Sequence, residues 1–504
     1  MDRPMETTMR SLSADTLAGA ITGARVEGDG RALLSGITHD SRRVTPGCLF
    51  VAVKGARFDG NGFVARAVEN GAAAVMSESA PPGDTPSPRA WIRVDDVRRA
   101  MTLAAFELSG RPDTRVPFLG VTGTNGKTTI TYLLERIFRH AGMSPGVLGT
   151  VSYRYRGEEA PAARTTPESP DIAAFAARVA GTGGGPFIME VSSHAVSLAR
   201  VYGVRFHTAL FTNLTQDHLD WYGTMEAYAD AKRAWFDGRN GPVPARGVFN
   251  LDDAFARDLH AAFTGERIGT SVAGPADFRV SSYDFTPGGM CLTLAWAGRS
   301  AQLRTRLTGR GNLHNVLQSF AAAVAFGVDP AAALEALAGM DAVPGRLDEV
   351  VKGYPFRVFV DYAHSEDALR NACAILREIT PGRLIAVFGC GGDKDRGKRP
   401  RMGRAVAEAA HVVIVTSDNP RSEDPEAIID EIVPGILQVR TDYLREADRR
   451  RAIERAVADA RPGDTILLAG KGHEREQIIG GRAIPFHDGE VAAEAVRRAW
   501  GVPS

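Results

Sequence analysis

Val116-Pro117-Phe118-Leu119-Gly120-Val121-Thr122-Gly123-Thr124-Asn125-Gly126-Lys127-Thr128-Thr129 is the stretch that decides the fold. Residues 116–121 form an apolar run that reads as a buried strand, and the Gly-rich turn with its Lys-Thr pair reads as a phosphate cradle opening a helix. Glycines let backbone N–H groups approach phosphate oxygens, and the helix points its positive end at them. Lys127 adds a charge and Thr128 offers a hydroxyl to Mg²⁺. The turn is shorter than a Walker A loop, because Val121 stands where a glycine is expected five residues before Gly126. Nucleotide binding through Gly123, Thr124, Asn125, Gly126, Lys127, Thr128 and Thr129 is the first expectation.

Outward from this loop the pattern is α/β. Phe187–Val191 and Thr208–Thr212 are further apolar runs separated by helical patterns, which predicts a largely parallel sheet with crossover helices. Upstream, Cys48–Val53 is strand-like, residues 80–88 form a Pro/Gly/Ser-rich loop, and Ser109-Gly110-Arg111-Pro112-Asp113 reads as a linker. Downstream, Asp341–Arg346 marks the next boundary. Four more strand candidates follow it, at 356–360, 384–388, 411–415 and 465–469. The expected organisation is three α/β domains: 1–112, then 113–342 around the phosphate loop with a mostly parallel sheet, then a Rossmann-like domain over 343–504. Functional residues are expected in the loops that leave the carboxyl ends of these strands.

The chain has 504 residues, 44% apolar and 24% charged, with 60 basic and 60 acidic side chains. That composition is globular, and its charge balance offers no field for nucleic acid or anionic lipid. Four dispersed cysteines, Cys48, Cys291, Cys373 and Cys390, make no Cys-x-x-Cys pair, so neither a disulfide framework nor a thiolate zinc site is expected. No apolar leader opens the chain and no stretch is long enough to span a bilayer. Retention in the cytoplasm without membrane insertion is expected.

Glu190 ends a strand and is followed by Val191-Ser192-Ser193-His194, so a carboxylate and three polar side chains emerge where the sheet meets solvent. In a nucleotide-binding domain a metal-binding acid belongs there. A Ser-His hydrolase is the rival reading, but the Gly-x-Ser-x-Gly elbow is missing. His218, between Asp217 and Asp220, is either a satisfied structural histidine or a metal contact. Lys232 reads from the residues as a plain helix lysine. In the last domain, Asp361-Tyr362-Ala363-His364, Gly389–Asp395, Ser417–Arg421 and Gly470–Glu474 each follow a strand, and four polar loops at successive strand ends look like a site. Lys398, Arg399 and Arg401 form a basic run expected on a solvated helix face. No aromatic residues interleave with that run, which disfavours nucleic acid.

Taken in order, GTNGKTT (123–129), EVSSH (190–194), DHLD (217–220), the Lys232 helix, PGR (344–346), DYAH (361–364), DNPR (418–421) and GKGHE (470–474) closely resemble the Mur ligases. These enzymes add amino acids to the peptidoglycan precursor in the bacterial cytoplasm, and the resemblance covers nearly the whole chain. Within the family, DNPR implies the member that takes meso-2,6-diaminopimelate. Arg421 is suited to pair with the distal carboxylate and Asp418 to receive the ammonium. The implied substrates are ATP, UDP-N-acetylmuramoyl-L-alanyl-D-glutamate and meso-diaminopimelate, and the implied chemistry is an acyl phosphate displaced by an amine. A monomer is expected.

The resemblance also implies roles by position. Lys127 and Thr128 serve the ATP phosphates and Mg²⁺, Glu190 a first metal and His218 a second, while Lys232 becomes a carbamate that helps to position Mg²⁺. Asn312, Asn315, Arg346 and Asp361 grip the adenine and ribose, with His364 beside them. Asp40-Ser41-Arg42 and Ala56-Arg57-Phe58 serve the uridine end of the UDP substrate, and Thr165, Thr166, Ser192 and Arg200 its pyrophosphate and peptide. Lys394, Asp418, Asn419, Pro420, Arg421, Gly470 and Glu474 serve the incoming amino acid. Departures from the family pattern are Lys394 for arginine, Leu198 for glutamine, Arg164 for asparagine or histidine, and Gly311 for the phenylalanine usual before Asn312. Rival readings are a lysine-adding ligase, a folylpolyglutamate synthetase, and a nucleotide-dependent switch without ligase chemistry. Three domains around one site also imply a closing motion.

Overall fold

The computed structural model describes residues 9–55, 58–81, 88–286, 288–340 and 342–501. The chain packs as two compact units. The first comprises Met1–Leu214, Thr224–Phe278 and Leu317–Ala333, and the second Thr215–Gly223, Arg279–Val316 and Leu334–Ser504.

In the first unit, strand Phe118–Thr122 is buried along its whole length between two parallel neighbours, Phe187–Glu190 and Thr208–Phe211. The registers pair Val121 with Glu190 and Thr122 with Phe211, so the three strands end together and the chain leaves the sheet at Gly123, Val191 and Thr212 on one edge. The sheet extends through Gly146–Leu148, Ser152–Tyr155 and Glu158–Pro161 on one side, and through Arg246–Asn250 and Glu266–Ser271 on the other. Helix Lys127–His140 follows the phosphate loop. Its Ile130, Leu133, Leu134, Ile137 and Phe138 recur at helical spacing and are all fully buried, which fixes the helix on the sheet. The Phe118 ring lies 4.5 Å from Phe187 and 5.9 Å from Phe206, centroid to centroid. Burial of such a ring contributes roughly 1.5–3 kcal/mol.

A second sheet in this unit runs Arg25–Gly28, Ala90–Arg93, Ala74–Ser77, Cys48–Val51, Gly36–Thr38, parallel except for its first strand. The segment expected to be a linker is packed instead. Ser109, Gly110, Pro112 and Asp113 are buried, and Asp113 accepts from Arg205 N at 3.0 Å and pairs with Arg111 at 2.7 Å. One apolar cluster runs from Ala14 to Phe263 past it, so burying that cluster outweighs the loop-like composition of the segment.

The second unit holds a six-stranded sheet ordered Asp348–Val351, Arg357–Asp361, Thr465–Ala469, Leu384–Phe388, Val412–Val415, Leu444–Arg445. The four expected strands all pair in parallel, and an antiparallel strand, Asp348–Val351, is added at one edge. Leu384, Ala386 and Phe388 point into one buried cluster while Ile385 and Val387 point into another, so helices cover both faces. That explains the unbroken apolar runs. The parallel registers bring Asp361, Phe388, Val415 and Ala469 to a common edge, where the polar loops begin. Among the described residues, no helix is long and apolar enough to cross a membrane.

Candidate active site

In the first unit the phosphate loop is held by backbone. Gly123 and Gly126 have φ of 137° and 90°, a region costly for any side chain, and a Cβ on Gly123 would overlap Thr212 Oγ1. Thr124 N donates to Asn213 O at 2.8 Å, Asn125 N to Asn213 Oδ1 at 3.0 Å, and Thr212 Oγ1 to Asn125 O at 2.6 Å. The exit of the neighbouring strand therefore shapes the cradle. Lys127 Nζ donates to Gly123 O at 3.0 Å and Thr124 O at 2.8 Å, which folds its charge over the turn. Thr129 is buried on the first turn of the helix.

Glu190 is fully buried beneath this loop and does not emerge into solvent as expected. Its carboxylate accepts from Thr128 Oγ1 at 3.1 Å, Thr150 N at 2.7 Å and Thr150 Oγ1 at 2.9 Å. Those three donors stabilise a charge that the end of a buried strand could not hold otherwise. No motif includes Thr150, although it follows strand Gly146–Leu148 and so lies where functional residues leave a sheet. Thr128 and Glu190 offer hard oxygen donors side by side, a set that suits Mg²⁺. Lys232 is 1% exposed, and its Nζ donates to Gly123 O at 3.0 Å and lies 4.8 Å from the Tyr228 ring centroid. It is no ordinary surface lysine. Two lysines, Lys127 and Lys232, thus share the Gly123 carbonyl.

Thr165, Thr166, Ser192 and Arg200 gather around the same strand end. Thr165 Oγ1 lies 3.1 Å from Thr150 Oγ1, whose own hydrogen goes to Glu190, and Thr166 Oγ1 donates to Glu190 O at 2.8 Å and accepts from Ser192 N at 3.1 Å. Arg200 Nη1 donates to Thr166 O at 2.9 Å, and Arg200 pairs with Glu168 at 2.8 Å. Arg164, one of the departures, also pairs with Glu168, and Arg98 lies 3.8 Å from it. Ser41 is buried in a separate turn, Ser41–Arg43, capped by Asp40, whose carboxyl the hydrogen-bonded Arg42 guanidinium holds down at about 2. Arg57 and Ala56 lie outside the described residues.

The second unit contains a cavity of about 420 Å³. Lys394, Asp418, Asn419, Arg421, Gly470 and Glu474 all line it, together with His218, Tyr362, His364 and Lys398. Pro420 lies between two lining residues, and its carbonyl packs so closely on Gly392 that a Cβ there would overlap it. Asn419 Nδ2 donates to Glu474 Oε2 at 2.7 Å, and the buried Lys471 donates to Asn419 Oδ1 at 3.2 Å and Glu474 Oε2 at 2.9 Å. Arg421 donates to Gly392 O at 2.7 Å. Asp418 is 6% exposed, and its Oδ1 meets no hydrogen-bond partner among the described residues. Burial raises the pKa of its carboxyl, against the pull of Arg449 and Lys471.

His218 belongs to this second unit, so the structure groups it with the cavity, while Thr128, Glu190 and Lys232 stand together in the first. Its backbone is left-handed, φ 55°, and its Nε2 lies 3.5 Å from Asp217. Burial, with Lys398 alongside, pushes the His364 imidazole down, and burial with Glu474 pushes the Tyr362 phenol up to about 12.

A smaller cavity, about 280 Å³, is lined by Asn312 and Arg346 among others. Asn315 Nδ2 donates to Asn312 Oδ1 at 2.9 Å, and Asp361 accepts from Leu347 N at 2.7 Å beside Arg346. Burial raises the Asp361 carboxyl. The four residues expected at the nucleoside end thus fall in one unit.

The basic run needs correction. Arg399 is fully buried, facing inward from helix Lys398–Ala409 to Glu423 at 2.8 Å and Glu431 at 2.9 Å, and Lys398 and Arg401 line the larger cavity. Charge matching by two acids on other segments, invisible in a local window, makes that burial tolerable.

A Gly-rich loop and Lys-Thr pair after an inner strand of one largely parallel sheet, and a polar cavity at the carboxyl edge of another, are the architecture of a nucleotide-dependent α/β enzyme. Three family models match the chain: "Mur ligase family, catalytic domain" over residues 33–106, "Mur ligase middle domain" over 121–323, and "Mur ligase, glutamate ligase domain" over 345–472. The chain belongs to the Mur ligase family and has its three-domain α/β fold. It is 44% identical over 92% of its length, and 94% of the relative, to a UDP-N-acetylmuramoyl-L-alanyl-D-glutamate--2,6-diaminopimelate ligase of Solibacter usitatus. It is 41% identical over 96% of its length, and 98% of the relative, to the protein of the same name from Geobacter metallireducens. A solved structure of a ligase of that name matches with TM-score 0.69 and 30% identity, over 97% of this chain and 99% of that one.

Proposed function

We propose that this protein is an ATP-dependent ligase that joins meso-2,6-diaminopimelate to the D-glutamate side-chain carboxylate of UDP-N-acetylmuramoyl-L-alanyl-D-glutamate, acting as a cytoplasmic monomer. The observation that carries the choice of amino acid is the cavity of Asp418 and Arg421. A buried carboxylate that lines the cavity and takes no hydrogen bond from the described residues suits an ammonium, and a guanidinium lining the same cavity suits a carboxylate. Together they fit the zwitterionic head at the far end of diaminopimelate. Lysine lacks that distal carboxylate.

In the reaction, a glutamate carboxylate oxygen attacks the γ-phosphorus of ATP. The new P–O bond forms as the bond to ADP breaks, giving an acyl phosphate. The diaminopimelate amine then attacks the acyl carbon, phosphate leaves, and the amine loses a proton to give the amide. Lys127 and the loop N–H groups place positive charge where the phosphoryl group transfers. The nucleoside end is assigned to Asn312, Asn315, Arg346 and Asp361, and the UDP-peptide to Ser41, Arg57, Thr165, Thr166, Ser192 and Arg200. Lys394, Asn419, Pro420, Gly470 and Glu474 complete the amino-acid site with Asp418 and Arg421. A first Mg²⁺, held by Thr128, Glu190 and a Lys232 carbamate, and a second metal, held by His218, would supply charge neutralisation at the phosphates. Carbamylation forms an N–C bond from the neutral Lys232 amine to CO₂ with loss of one proton, after the ammonium has given up its own, and leaves one N–H to keep the contact to Gly123 O.

ADP release measured with the muramoyl dipeptide nucleotide and each amino acid in turn tests the reading. It predicts turnover with meso-diaminopimelate well above that with L-lysine, and the reverse order would overturn it. Lys232→Ala is expected to abolish ligation, with partial rescue by formate or acetate and none by bicarbonate. Wild-type turnover from that variant would exclude the carbamate.

A further inference from the structure

Behind the larger cavity lies an ion pair that no motif announces. Arg449 opens helix Arg449–Ala458, Asp488 opens helix Asp488–Trp500, and both side chains are fully buried. Arg449 Nε and Nη2 donate to the two Asp488 oxygens at 2.7 and 2.6 Å, a bidentate fork. The same guanidinium also reaches backbone, with Nη1 donating to Ser417 O at 3.2 Å and Nη2 to Ala469 O at 3.0 Å. Those carbonyls belong to the exits of two different strands. Each is followed directly by a residue that lines the cavity, Asp418 and Gly470.

As a means of holding two helices together, a buried ion pair is poor, because an apolar pair of similar volume is often equally stable or more so. What an apolar pair cannot do is bind two carbonyls from two strands at once. The far side of the loop is braced as well, since Gln477 Nε2 donates to Asp418 O at 2.7 Å and Ser417 Oγ at 3.1 Å. With its backbone fixed on both sides, Asp418 has its place on the cavity wall set in advance.

We propose that Arg449, held by Asp488, is a positioning residue for amino-acid recognition, fixing Asp418 and Gly470 relative to each other across two strand ends. The proposal rests on reading the larger cavity as the amino-acid site. Arg449 has no exposed surface, so it acts through Asp418 and not on the ligand. Its charge also opposes the burial that raises the Asp418 carboxyl; Lys471 acts with it, and Glu474 and Asp488 act against it.

Steady-state kinetics on the full-length enzyme, varying each of the three substrates, test this with Asp418→Asn, Arg449→Lys and the apolar double variant Arg449→Met/Asp488→Leu. The double variant leaves no lone buried charge, and its melting temperature reports whether it folds. The expected result for it and for Arg449→Lys, which keeps the charge but loses the fork, is a KM for meso-diaminopimelate raised about tenfold with the KM for ATP unchanged. If Asp418→Asn raises that KM while the folded Arg449 variants keep the wild-type value, the positioning role is overturned and the site reading stands. All three KM values rising together with a fall in melting temperature would also overturn it, as a purely structural role. An unchanged KM in Asp418→Asn would overturn the site reading itself, and this proposal with it.

Discussion

Glu190 and Asp418 are both buried carboxylates at strand ends, one in each unit, and they are wired differently. Glu190 takes three hydrogen bonds from Thr128 and Thr150, whereas the Asp418 carboxylate takes none from the described residues. The first is anchored by short polar side chains and backbone, and its loop is shaped by glycines at positive φ. The second is flanked by long charged groups, Arg421, Lys471 and Arg449, that are themselves tied to other segments. A phosphate is the same in every nucleotide, so a backbone cradle serves it. An amino-acid head must be told from its neighbours, which takes directional charges and an acceptor held in reserve.

Lys127→Met should break the first region with the largest effect. Loss of the charge over the loop is expected to lower kcat by roughly 10²–10³-fold. Isothermal titration with meso-diaminopimelate should show the second region intact, and a matching loss there would mean that the two are not separable.

Acidification should act on the second region. An ammonium needs Asp418 ionised, and burial places the Asp418 pKa above the usual carboxylate range. The KM for meso-diaminopimelate should therefore rise as pH falls through that raised value. Asp418→Asn should remove the dependence. A pH-independent KM in the wild type would count against the reserved acceptor.

Much of this was legible in the sequence. The strands before Gly123, Glu190 and Gly470 announced themselves as apolar runs, because sheets covered on both faces leave little room for polar residues. Which charged residues turn inward was not legible. From sequence Arg399 reads as part of a solvated face, Lys232 as a plain helix lysine and residues 109–113 as a linker, because each is buried by partners distant in sequence: Glu423 and Glu431, Gly123, and Arg205. Arg449 and Asp488, 39 positions apart, carry no local signal at all.

A smaller effect sharpens the contrast in stability. Pairing with Arg399 holds the Glu423 carboxyl at about 2, below its ordinary value of about 4.3. A depressed acid stabilises the fold above the unfolded value and loses that contribution as pH falls towards 2. Glu423 keeps only 21% of its side chain exposed and pairs with the fully buried Arg399, so Glu423→Gln should cost roughly 1–3 kcal/mol at neutral pH and flatten the acid limb of the unfolding curve. An unchanged acid limb would contradict the pairing.

The most direct test of the central claim is the mass of the product formed from UDP-N-acetylmuramoyl-L-alanyl-D-glutamate, ATP and an equal mixture of meso-diaminopimelate and L-lysine. A product carrying one diaminopimelyl residue, formed with one ADP and one phosphate, is the predicted result. A lysyl product, or ADP released without any amide, would contradict it.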